Sequence, residues 1–75
     1  MKTYQCYKKY PAERADVTIY VREWSFTGGR VVVEFFGPDP LEKPFSKKLC
    51  DNFVQGSDIA EEYIAKEGFE KVKTF

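Results

Sequence analysis

Residues 17–36 read VTIYVREWSFTGGRVVVEFF. Two runs rich in β-branched and aromatic residues flank Gly28-Gly29, a pattern that predicts a β-hairpin. Side chains alternate along a strand. On the first run Val17, Ile19, Val21, Glu23 and Ser25 share one face, while Thr18, Tyr20, Arg22, Trp24 and Phe26 share the other. On the second, Val31, Val33 and Phe35 oppose Val32, Glu34 and Phe36. Both faces are therefore apolar in part. A chain of 75 residues has helix enough to cover one of them, which leaves the other for something else.

Register decides how the two runs combine. A two-residue loop at Gly28-Gly29 would pair Trp24 with Val33 and set Glu23 against Glu34. Like charges directly opposite are unfavourable. A three-residue loop, Gly28-Gly29-Arg30 with a bulge, pairs Trp24 with Glu34 and Glu23 with Phe35. It also gathers Ile19, Val21, Val33 and Phe35 on one face, and it is the preferred register.

Upstream, residues 3–9 (TYQCYKK) predict a first strand, with Lys8-Lys9 suited to an exposed edge. Pro11 ends it, and residues 11–16 form a polar connection. Downstream, GPDPLEKP (37–44) is a rigid loop, because three prolines cannot donate to a ladder. Leu49, Cys50, Phe53 and Val54 have helical spacing, so residues 46–54 predict a short helix with Ser46 as cap. An extended reading stays open there, since Phe45, Leu49 and Phe53 also share strand parity. The main helix is expected over 58–67, capped by Ser57 or Asp58. Asp58, Glu61 and Glu62 would suit its positive end, Lys66 its negative end, and Gly68 its C-terminal stop. Strand alternation resumes over 69–74. The expected fold is α+β: one small two-layer domain over residues 1–75, with a mainly antiparallel sheet of three or four strands. The order is β-β-β-α-β, with one main helix on one face.

Composition narrows the function classes. Twelve Lys/Arg balance twelve Asp/Glu. The balance is uneven along the chain: residues 1–33 hold six basic and three acidic residues, residues 34–75 six and nine. Zero net charge counts against non-specific nucleic-acid binding, and the split keeps a local version open. No stretch has the apolar core of a signal peptide or the length of a membrane span, so a cytoplasmic protein without membrane contact is expected. Cys6 and Cys50 match no zinc spacing. Two buried free thiols are the expectation, a single disulfide the alternative.

Catalysis finds little support. The chain has no histidine, the commonest general base near neutral pH. Glu23 and Glu34 are the best paired-carboxylate candidates, and exposure or a salt bridge to Arg22 or Arg30 is the plainer reading. No cofactor or metal site is expected. A non-enzymatic binding module is. Tyr, Trp and Arg dominate interface hot spots, and the candidate partner-binding residues are Tyr20, Arg22, Trp24 and Phe26 on the strand, with Glu61 and Glu62 on the helix. The first expectation is a protein partner, the profile of adaptors and small inhibitors of larger enzymes, phage-made ones included. The alternatives are a single-stranded nucleic acid on the aromatic and basic residues of the sheet, and a structural subunit or homodimer.

Overall fold

The computed structural model describes residues 1–24 and 29–75. Five strands and one helix follow in the order β1 (Lys2–Tyr7), β2 (Val17–Glu23), β3 (Val31–Phe36), β4 (Ser46–Cys50), α1 (Phe53–Glu67) and β5 (Lys71–Thr74). The strands form one sheet in the order β4-β3-β2-β1-β5, with every neighbouring pair antiparallel. The helix lies across one face against β2, β3 and β4. This is the expected two-layer α+β domain, with a fifth strand where a short helix was predicted.

That fifth strand corrects the reading of residues 46–54. The helical spacing of Leu49, Cys50, Phe53 and Val54 straddles a boundary: the first two end β4 and the last two begin α1. Ser46 caps nothing and instead pairs with Phe35 at the end of the β3 ladder. The pairing gives the β4 backbone its hydrogen-bond partners, which outweighs a weak local preference for helix.

The helix accordingly starts five residues earlier than predicted. Its cap is Asn52, in extended conformation, whose side chain accepts from the Gln55 backbone N–H at 2.9 Å. Gln55 reaches back and accepts from the Asp51 N–H at 2.8 Å. Two amide donors at the helix entrance are thereby satisfied. Asp58, Glu61 and Glu62 now lie beyond the first turn, where the dipole argument made for them lapses. Gly68 ends the helix as expected, at φ 64°, with its N–H donating to the Ile64 carbonyl.

The β2–β3 register departs from both predicted ones. Ile19 faces Phe35, Tyr20 faces Glu34, Val21 faces Val33 and Glu23 faces Val31. The Trp24 N–H donates to the Arg30 carbonyl at 2.8 Å, so the connecting loop is longer than the two or three residues expected. The predicted pairing of Trp24 with Glu34 and Glu23 with Phe35 would have set Ile19 against Asp39, inside the proline-rich loop. Prolines there cannot sustain a ladder. The slip is an even number of residues, so the face assignment survives: Ile19, Val21, Val33 and Phe35 do share one side.

The helix covers that side. The core consists of Tyr4, Cys6, Val17, Ile19, Val21, Val31, Val33, Phe35, Cys50 and Ala60. Ile59, Tyr63 and Ile64 of the helix, with Phe69 and Val72, pack against it. β1 is not an edge, because β5 takes its second side. The edges are β4 and β5, and each carries two lysines, which discourage further strand pairing.

Candidate functional site

Among the described residues, no helix lies over the second face of the sheet. Sequence alternation places Gln5 and Tyr7 of β1, Thr18, Tyr20 and Arg22 of β2, and Val32, Glu34 and Phe36 of β3 there. Lys47 and Leu49 of β4 and Lys71 and Lys73 of β5 join them by register. Val32 is wholly buried even so, between Arg22 on one neighbour and Leu49 on the other. Long side chains cover apolar surface with their stems in this way.

Charge and ring chemistry interleave across the face. Glu34 is only 7% exposed. Its Oε1 accepts from Arg22 Nε at 2.7 Å, and Lys47 Nζ lies 3.8 Å from Oε2. That hydrogen bond is the main reason the Arg22 guanidinium is raised above its ordinary value. Lys47 Nζ also sits 4.8 Å from the centre of the Trp24 ring. Tyr20 and Phe36 meet edge to face at 5.4 Å, in the geometry aromatic pairs favour. Toward β5, Tyr7 and Tyr10 do the same at 5.3 Å. Lys73 Nζ lies 5.7 Å from Tyr7 and 5.3 Å from Tyr10, and Lys71 Nζ 5.5 Å from Tyr10. Each distance is within cation–π range.

A shallow groove of about 580 Å³ runs along this face. Gln5, Tyr7, Thr18, Tyr20 and Phe36 form its floor. Glu13, Arg14 and Ala15 wall one side, and Gly37, Pro38 and Pro40 the other. Asp16 closes the 8–16 connection: its carboxylate accepts from the Lys8 N–H at 2.7 Å, and its own N–H donates to the Cys6 carbonyl. A second groove of about 540 Å³ lies on the helix side, between Phe35, Phe45, Lys48, Ile59, Glu62 and Tyr63 among others.

The residues singled out from sequence do not form one surface. Tyr20, Arg22 and Trp24 lie together on the open face. Phe26 lies outside the described residues. Glu61 and Glu62 stand exposed on the helix layer, on the far side of the sheet. Glu23 and Glu34 are on opposite faces, so the carboxylate pair considered from sequence does not assemble; Arg22 is the partner that Glu34 takes. What sequence reading missed is the contribution of β5 and the 10–15 segment. Lys71 and Lys73 reach the face because β5 pairs with β1, and Tyr10 and Arg14 because the 8–16 connection folds over Tyr7 and the groove; no local pattern announces either contact.

The thiols are free, buried and apart. Cys6 on β1 and Cys50 on β4 are three strand-to-strand steps apart across the sheet, about 14 Å, and a further six residues, about 20 Å, apart along the strands, far beyond disulfide reach. Burial pushes the Cys6 thiol up to about 11. Cys50 is raised too, by burial and then by the Asp51 charge, and its Sγ lies 3.4 Å from the Val31 carbonyl oxygen. Among the described residues, no three His, Cys, Asp or Glu side chains gather to hold a metal ion. Among the same residues, no helix is long and apolar enough to cross a membrane.

Compared with known proteins, the chain matches no family model, no curated protein and no solved structure. Its function is argued from its own geometry.

Proposed function

We propose that this protein is a non-enzymatic binding module that docks on a macromolecule through the open face of its sheet. The observation that carries the reading is the one-sided cover: α1 packs on the Ile19/Val21 side, while Tyr20, Arg22, Trp24 and Phe36 line the side without a helix. Such a face, apolar in part and rich in ring and guanidinium groups, has the composition of interaction surfaces. A non-catalytic role is supported by the chain's own groups: it has no histidine, both thiols are buried and protonated, and the best carboxylate pair is split between two faces. Thiols kept reduced suit a cytoplasmic setting. Glu61 and Glu62 lie in the other layer and are not part of this surface.

Trp24 is the only tryptophan, so its fluorescence reports on the face without ambiguity. The test is acrylamide quenching of the free protein together with its mass by light scattering. The expected outcome is an 8.8 kDa monomer whose Trp24 is reached by the quencher. A dimer with a shielded Trp24 would assign the face to a second copy and replace the docking role with that of a structural subunit.

A further inference from the structure

Resting on the proposal that the open face is the docking surface, we infer that its occupant is a single-stranded nucleic acid, with bases on the rings and phosphates on the cations. The folded chain sorts its charge by layer. Arg14, Arg22, Lys47, Lys71 and Lys73 belong to the open face, against Glu13 at the groove wall and the buried Glu34. Glu34 is already neutralised from within, by Arg22 and Lys47. The helix carries the opposite sign: Asp58, Glu61, Glu62 and Glu67 are all exposed there against the single exposed Lys66. A polyanion is drawn to the sheet and repelled from the helix, so the field alone sets its orientation.

The rings complement the cations. They occur at three stations: Trp24 beside Lys47, half-buried Tyr20 with Phe36 at the centre, and Tyr10 beneath Lys71 and Lys73, set edge to face on Tyr7, which is itself only 5% exposed. The track follows β2: Trp24 and Tyr20 are four residues apart, about 13 Å, and Tyr7 on neighbouring β1 lies about as far again in the same direction. Partly exposed rings on this face, each station edged by a cation or a groove, suit splayed bases with a backbone running beside them. A duplex hides its base faces and could use only the charges.

The experiment is fluorescence anisotropy of labelled dodecamers, oligo(dT) and oligo(rU), with a duplex of the same length. Both single strands should bind and the duplex should bind more weakly. With about three phosphates neutralised, raising salt from about 50 to about 200 mM should weaken single-strand binding roughly 20-fold. Tyr20→Ala should weaken it about 5-fold or more. Lys71→Gln with Lys73→Gln should flatten the salt dependence by about one phosphate's worth or more. Equal binding of the duplex, salt-independent binding, or wild-type affinity in both variants would overturn the inference. The two levels fail separately. If no oligonucleotide binds while the monomer's Trp24 remains open to acrylamide, the nucleic acid is wrong and the face is left for a protein. If Trp24 is shielded in a dimer, the docking surface itself is wrong.

Discussion

At the scale of single residues, two positions show how the layers fit. Gly56 sits inside α1, where glycine costs about 1 kcal/mol relative to alanine. Its reason is contact: a Cβ there would lie 2.7 Å from Val21 Cγ1 and 3.1 Å from Val31 Cγ1. Gly56→Ala should therefore destabilise the fold by about 1–3 kcal/mol, despite the gain in helix propensity, because the helix must lift off the sheet. Urea unfolding measures this; an unchanged or raised midpoint would refute the tight approach. Cys6 is the second. The unfolded chain releases that proton near the ordinary value of 9.0, while the folded one keeps it until about 11. A raised folded-state value stabilises fully below pH 9, and that contribution is lost as pH rises toward 11. Stability of the wild type should drop more steeply across this window than that of Cys6→Ala, compared as urea midpoints at several pH values. Parallel slopes would mean that Cys6 is not held protonated by the fold.

The Arg22–Glu34 pair belongs to the same scale. Arg22 is partly exposed, which limits what the pair contributes, and Glu34 is nearly buried, which makes losing its partner costly. A double-mutant cycle with Arg22→Ala and Glu34→Ala should give a coupling of about 1 kcal/mol. A coupling near zero would assign both residues to packing alone.

At the scale of elements, α1 and β4 are defined by their junction. Asn52 stops the strand and starts the helix through its side-chain bond to the Gln55 N–H. Asn52→Ala should cost about 1 kcal/mol, and Asn52→Asp far less, since aspartate caps as well. Thermal melts of the two variants decide this, and equal losses would show that the cap is not the cause. The junction also explains why the helix was only partly legible. Residues 58–67 carry a clear apolar stripe, but Gly56 and Ser57 are poor helix formers, so sequence reading starts the helix after them. The structure extends it to Phe53 because Gly56 is wanted for close packing. Strand β4 was hidden for a related reason. Ser-Lys-Lys-Leu-Cys has little strand character of its own, and it is extended because β3 offers it a ladder.

At the scale of the whole molecule, the charge split along the sequence becomes a split between layers, though not simply by halves of the chain. Lys47, Lys71 and Lys73 come from the acidic half and still join the basic face, because the register sets them level with Glu34, Tyr7 and Gln5. The sheet face and the helix face thus differ in sign on a molecule of zero net charge. Local patterning could show that aromatic residues alternate on β2. It could not show that Tyr10 and Arg14, in a connecting segment, complete the same surface.

Local patterning alone sufficed for the α+β class, the hairpin strands, the two faces of Val17–Glu23 and Val31–Phe36, and the C-terminal stop of the helix at Gly68. Those follow from period, propensity and the freedom of glycine, all of which act within a few residues. Tertiary structure decided the register of β2 on β3, the strand at 46–50, the start of α1, and which face the helix covers. Each of these compares contacts between segments far apart in the chain, and alternation within one segment is the same whichever face is buried. The open face is such a product: its rings could be listed beforehand, but only the folded sheet brings them together with the lysines of its two edges.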